Sequence, residues 1–144
     1  MNPSMAFARK TALAYGALCR PLCQELGLSQ TAFDILLFLA NNPDCRTARD
    51  IVEVRRIKAN LVSVHVDRLV RDGYLLRRPV PGDRRKTELV CTDLAQPVVE
   101  RGRALQTEVF DRLFSGIDEP MRTAFFAAVQ RMEINLDTIL EDAT

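Results

Sequence analysis

Apolar residues recur at helical spacing along most of the chain, and this periodicity predicts a mainly α protein. Helices are predicted over about 6–26, 29–41, 48–54, 58–72, 93–115 and 119–140. Pro21 lies inside the first helix and is expected to kink or split it, because proline has no backbone N–H to donate. Ser29 is expected to cap the second helix, which is apolar on most sides and therefore central.

The third and fourth predicted helices have the pattern of a helix-turn-helix. Thr47 is placed to cap the shorter helix, and only residues 55–57 separate the two. The longer helix ends at Gly73, and its inner face is predicted to hold Leu61 or Val62, followed by Val66, Leu69 and Val70. Any helical hairpin would look similar, so the pair alone does not identify a DNA-binding unit.

The next segment predicts a β-hairpin, which would act as a wing on the helix-turn-helix. Residues 74–78 and 86–91 alternate apolar and polar side chains, as half-buried strands do. The turn between them, 79–85, contains Pro, Gly and Asp and places Arg84 and Arg85 at its tip. Arginines at a narrow tip can enter the minor groove of DNA, where the potential is most negative.

Charge along the chain is uneven, although the formal net charge is only +1. Residues 46–90 contain twelve basic and six acidic side chains, whereas the rest contains eight basic and thirteen acidic ones. A basic centre within an acidic frame is typical of a protein that presents one face to a polyanion. An uneven solvated surface is the alternative interpretation.

Composition favours a folded domain: 47% of residues are hydrophobic and 27% are charged, which argues against disorder and against a membrane protein. The chain begins without the pattern of a signal peptide, so we expect a cytoplasmic protein whose four cysteines are thiols. We divide one continuous domain into an N-terminal dimerisation helix (1–28), a winged helix-turn-helix (29–91) and C-terminal dimerisation helices (92–144).

The apolar stripe of the last helix predicts a homodimer. Its members recur every three or four residues: Met121, Phe125, Val129, Met132, Leu136 and Ile139. Together with the first helix, this stripe exceeds what one small winged domain can cover. Packing within the chain is the alternative.

Three blocks in order carry a resemblance to the MarR family of bacterial transcription regulators. They are Val66-Asp67-Arg68-Leu69-Val70-Arg71-Asp72-Gly73-Tyr74-Leu75, then Gly82-Asp83-Arg84-Arg85-Lys86, then Leu89-Val90-Cys91-Thr92. The resemblance implies a winged helix-turn-helix flanked by dimerisation helices and a DNA-binding homodimer. Each subunit would place a recognition helix in a major groove and a wing in the neighbouring minor groove.

By position, the resemblance assigns DNA contacts to Arg49, Arg55, Arg56, Lys58, Ala59, Asn60, Ser63, Val64, Asp83, Arg84 and Arg85. Asn60 can bind adenine, Ser63 a base or a phosphate, and Val64 a thymine methyl group. Arg85 matches the minor-groove arginine, with Asp83 orienting it through a charge-assisted bond. The remaining arginines would contact phosphates. Lys58 and Val64 depart from the family pattern, which leaves the operator sequence open.

The resemblance also implies an effector pocket for a small aromatic or phenolic ligand. Tyr15, Arg20, Phe33 and Phe38 are candidates to line it, but they suit core or surface positions equally well. A ligand there would change the spacing of the two recognition helices and release DNA from a repressor.

Other candidate sites are weaker. His65 is predicted to face the core, with a pH- or ligand-sensitive role as the alternative; one histidine cannot anchor a zinc cluster. Cys19 and Cys23 share a helix face and are buried apolar residues, a redox switch or a site for a soft metal ion. No catalytic motif, cofactor site or metal site is evident. A winged helix used only for protein contacts is the other alternative, but it would not need Asp83-Arg84-Arg85 at the tip.

Overall fold

The computed structural model describes residues 2–144, so Met1 of the predicted segment 1–28 lies outside it. The chain forms two compact units, Met1–Val109 and Phe110–Thr144. The elements are α1 (Pro3–Leu26), α2 (Gln30–Asn41), α3 (Ala48–Arg55), α4 (Ala59–Arg71), β1 (Leu75–Val80), β2 (Asp83–Cys91), a 3-10 turn (Asp93–Ala95), α5 (Gln96–Leu113) and α6 (Glu119–Asp142). The predicted mainly α fold with a small hairpin is confirmed. Within residues 2–144, no helix combines the length and apolar character that a membrane span requires.

Side-chain caps determine where the predicted helices begin. Ser29 Oγ accepts the Ala32 N–H at 3.1 Å at the start of α2. Thr47 and Asp50 form a capping box at the start of α3, each side chain accepting the other residue's backbone N–H. These bonds satisfy amide groups that have no partner inside the helix, which is why the predicted starts are correct to within a residue.

The core of the first unit is built around α2. Phe33, Leu36 and Leu37 are almost completely buried there, and the same cluster contains two valines of α4, Val62 and Val66, and two of α5, Val98 and Val99. Val62 is buried whereas Leu61 is 46% exposed, so Val62 is the inner residue of the two that the sequence allowed. An apolar face buried on one side leaves the opposite face of α4 to solvent.

Close packing at Gly102 predicts that alanine substitutions at two glycines have very different effects on the stability of the protein. A Cβ at Gly102 would lie 2.4 Å from the buried Leu37 Cδ2, whereas at Gly16 it would meet only the exposed Gln30 side chain, at 3.3 Å. We expect Gly102→Ala to lower the free energy of unfolding by about 1–3 kcal/mol, as overpacking does. Gly16→Ala, the matched control, should be neutral or stabilising because alanine favours a helix. Urea unfolding of both variants tests this, and an equally stable Gly102→Ala would contradict it.

One prediction about helix boundaries is wrong and another is narrowed. α1 runs unbroken from Pro3 to Leu26, so Pro21 does not split it, which was one of the two outcomes that the sequence allowed. Thr92 does not cap a long helix: its hydroxyl donates to Gly73 O at 2.6 Å, and residues 93–95 form a 3-10 turn before α5 begins. The single helix predicted over 93–115 is therefore two elements.

The hairpin is longer than predicted. β1 and β2 pair antiparallel from Leu75 opposite Cys91 to Val80 opposite Asp83, with an irregularity after Pro79. Most of the predicted turn 79–85 is thus strand, and the connection is reduced to Pro81 and Gly82, where Gly82 takes a left-handed φ of 84°. Arg84 and Arg85 consequently lie on β2, directly after the tip.

The second unit consists of the last residues of α5, the connecting turn and α6, and it has an aromatic centre. The Phe114 ring contacts those of Phe110, Phe125 and Phe126 at centroid distances of 4.6, 5.7 and 5.5 Å. Arg122 donates to Phe114 O at 2.7 Å and lies over that ring. No residue of α6 is buried, so its apolar stripe is exposed in the protomer.

Candidate nucleic-acid interface

The turn between α3 and α4 presents positive charge next to the start of α4. Arg56 ends α3 in the left-handed conformation, with φ 55°, and Lys58 is the N-cap of α4 but forms no side-chain cap bond. The helix therefore starts at Ala59, one residue later than predicted. Its exposed amide end and the neighbouring cations favour an anion such as a phosphate.

The outward face of α4 consists of the residues that the sequence assigned to base contacts. Lys58, Ala59, Asn60, Ser63 and Val64 are all exposed, and Asn60 and Val64 lie on the side opposite the buried Val62, Val66 and Leu69. An exposed helix face of this width fits the major groove of B-DNA, which admits one α-helix.

Arginines extend from the tip of the wing. Arg84 and Arg85 are exposed, and no salt bridge between either of them and another described residue is found. Asp83 Oδ1 accepts the backbone N–H of Arg85 at 2.9 Å. The expected charge-assisted bond to the Arg85 side chain is thus absent from the described contacts, and Asp83 instead holds the backbone at the position where Arg85 leaves the turn.

A charged groove of about 870 Å³ separates the wing from the start of α3. Arg85 and Lys86 line it from the wing, and Arg46 and Arg49 line it from the other side. The Leu89 N–H donates to Arg46 O at 2.7 Å, which ties the loop before α3 to β2. Arg46 and Lys86 were missed from the sequence, although the unbroken run Arg84-Arg85-Lys86 could have revealed Lys86.

Hydrogen bonds keep Asp50 ionised inside this groove. Burial alone would raise the pKa of the Asp50 carboxyl, but bonds from Thr47 and from the Arg46 N–H outweigh that effect and lower the pKa below its usual value. The carboxylate thereby fixes the first turn of α3 and the loop before it. Arg46 and Arg49, which line the groove, are therefore carried by a backbone segment that hydrogen bonds to Asp50 stabilise.

Two of the arginines assigned to phosphates have acidic partners. Arg49 Nε donates to Glu53 at 2.7 Å, on an exposed face where such pairs contribute little stability and a phosphate can replace the carboxylate. The Nη2 atom of Arg55 lies 3.9 Å from Oδ2 of Asp34. Burial raises the pKa of the Asp34 carboxyl, while Arg55 and a hydrogen bond from Tyr15 act in the opposite direction.

The four candidate effector residues lie in different surroundings. Phe33 and Phe38 belong to the hydrophobic core, and the Tyr15 hydroxyl donates to Asp34 Oδ1 at 3.2 Å. Arg20 lines a hollow of about 470 Å³ along α1, together with Gln24, Gln30 and other residues. The three aromatic residues do not line that hollow.

The cysteines and the histidine are placed as follows. Cys19 and Cys23 are buried free thiols, and burial raises the pKa of both, which disfavours the reactive thiolate. His65 is half-buried, with its Nδ1 3.5 Å from Ser29 Oγ. Among residues 2–144, no cluster of three metal-ligating side chains occurs.

Comparison with known proteins gives a consistent result. Residues 26–86 match the MarR family model. The chain is 30% identical to the HTH-type transcriptional regulator PecS of Dickeya dadantii over 76% of this chain and 67% of that protein. It is also 28% identical to the transcriptional regulator PA3341, for which a crystal structure is known. The structural match covers 92% of this chain and 97% of that chain, with a TM-score of 0.77.

The fold is also shared with a more distant solved structure. A MarR-family regulator from Listeria monocytogenes, solved with a 26-mer DNA, matches 94% of this chain and 90% of its own at 15% identity and a TM-score of 0.80. The family resemblance drawn from the three sequence blocks is confirmed: this chain belongs to the MarR family of transcriptional regulators.

Proposed function

We propose that two copies of this chain bind one DNA duplex at a pseudo-palindromic operator. The observation that carries the proposal is the first unit's surface, where the outward face of α4 is uncovered and the wing adds the exposed Arg84 and Arg85. A helix of this kind reads base edges in the major groove, while arginines on a wing enter the adjacent minor groove. Arg49, Arg55 and Arg56 supply phosphate contacts, which position the protein on the duplex.

The dimer rests on the apolar surface of α1 and α6. Met5, Phe7 and Leu13 of α1 are exposed, as is the stripe of α6. Monomeric proteins rarely leave many large apolar side chains of a helix face in water, and a second copy of the chain would cover those of each helix. In this division of roles, residues 29–91 bind DNA while 1–28 and 92–144 join the protomers, with half-sites about one helical turn apart.

In this proposal the regulator acts as a ligand-responsive repressor rather than as an enzyme. Because it binds DNA, we expect it in the cytoplasm. A small aromatic effector is expected to shift the population of two dimer conformations that differ in DNA affinity. Of the four candidate effector residues, Arg20 lines the open hollow along α1. A thermal-shift screen of small aromatic acids, paired with duplex binding, tests this part of the proposal.

Selection from a random duplex library, followed by a salt titration, tests the DNA-binding role. If each of two protomers neutralises about three phosphates, the logarithm of the association constant should fall with the logarithm of salt concentration with a slope of about −5. The enriched duplex should contain an inverted repeat. Failure to enrich any duplex at low salt would contradict the proposal.

A further inference from the structure

The outermost line of α4 begins with one amide and one apolar side chain. With 3.6 residues per turn, the residues farthest from the buried Val62, Val66 and Leu69 are Asn60, Val64, Asp67 and Arg71. Asp67 is bound by Arg77 of the wing, and Arg71 is the last residue of the helix. Asn60 and Val64 are therefore the two side chains in the first half of the helix that point most directly away from its buried face.

Val64 has no structural reason to be valine. Its side chain is 63% exposed, and the apolar contacts of α4 are made on the opposite face. A β-branched residue also lowers helix propensity slightly at an exposed position. An apolar group that is mostly exposed has little contact within the protomer and is suited to an apolar partner outside it.

The major groove offers one apolar group to such a side chain. Thymine carries a C5-methyl group there, whereas the other distinguishing features of the bases are hydrogen-bond donors and acceptors. Asn60 can bind adenine through its donor and acceptor, but Val64 can recognise only the methyl group. Four residues of helix rise about 6 Å, which corresponds to roughly two base pairs at about 3.4 Å each.

We propose that Val64 is a specificity-determining residue that reads the 5-methyl group of a thymine, about two base pairs from the base read by Asn60. This inference rests on the proposed DNA-binding function and adds the identity of a base in each half-site. Burial of one methyl group corresponds to about fourfold in affinity, and two symmetric half-sites give about sixteenfold.

Replacement of thymine by deoxyuridine tests the inference, because dU lacks the methyl group and keeps every hydrogen-bonding group of dT. The probe is a duplex enriched from a chemically synthesised random library, in which thymine is the source of any C5-methyl group. Each dT is replaced in turn. At one position per half-site, dU should weaken wild-type binding about fourfold, and Val64→Ala should bind dT and dU equally at that position.

Val54→Ala is the matched control, since Val54 is a similarly exposed valine, at 58%, on α3. It should keep the wild-type preference for dT over dU. If wild-type protein tolerates dU at every position, or Val64→Ala keeps the fourfold loss, the inference is overturned while the proposed function stands, because the enriched duplex still binds. If no duplex is enriched, the proposed function fails and the inference fails with it.

Discussion

Replacing Leu136 and Ile139 together by glutamate is expected to separate the dimer and to weaken binding to a two-half-site duplex by about 100-fold or more. Both side chains lie on the apolar stripe of α6, where they are 56% and 60% exposed in the protomer. Four new carboxylates in one interface, two from each copy, would have to be desolvated without partners. Each half-site would then be bound separately, so the second contact would lose the high effective concentration that the first one provides.

Thr138→Glu is the matched control for this variant. Thr138 lies on the same turns of α6, on the face opposite the stripe, so its glutamate should leave both the dimer and the DNA affinity unchanged. Sedimentation measures the mass, and fluorescence anisotropy measures the affinity. A Leu136→Glu/Ile139→Glu protein that remains a dimer would show that α6 does not form the interface.

Arg85→Ala is expected to weaken binding to the operator duplex by about tenfold or more. Its backbone is held at the wing tip by Asp83, and its exposed guanidinium is placed to enter the minor groove twice per dimer. Loss of this cation should also make the salt dependence shallower, since fewer counterions are released on binding. Titration of the duplex at several salt concentrations measures both effects.

Two further variants separate the wing contact from general charge. Arg85→Lys keeps the charge and should therefore bind more tightly than Arg85→Ala. It should bind more weakly than wild type, because lysine lacks the planar guanidinium. Arg9→Ala removes an exposed arginine from α1 and should bind like wild type. Unchanged affinity of Arg85→Ala would show that the wing does not contact DNA.

Helix positions were predictable because caps and periodicity are local properties of the chain. Ser29 and Thr47 form the cap bonds that their positions before apolar runs predict, and the inner face of α4 is the predicted one. The exposed residues of α4 follow from that face, since a helix that buries Val62, Val66 and Leu69 must turn Asn60 and Val64 outward. The candidate major-groove surface was thus predictable from sequence.

Errors occurred where contacts distant in sequence compete with local preferences. Thr92 has the residue type of a helix cap, but Gly73, 19 residues earlier, accepts its hydroxyl. The turn 79–85 has a loop composition, but cross-strand pairing extends the hairpin almost to its tip. Phe33 and Phe38 suited a ligand pocket as well as a core, and only packing with other helices places them in the core.

The mass of the protein alone and in complex with its enriched duplex tests the central claim most directly. Sedimentation velocity at low salt should give two protomers in the free protein and two protomers on each duplex that contains the inverted repeat. A single protomer in both samples, or no association with any duplex, would contradict the account of a dimeric DNA-binding regulator.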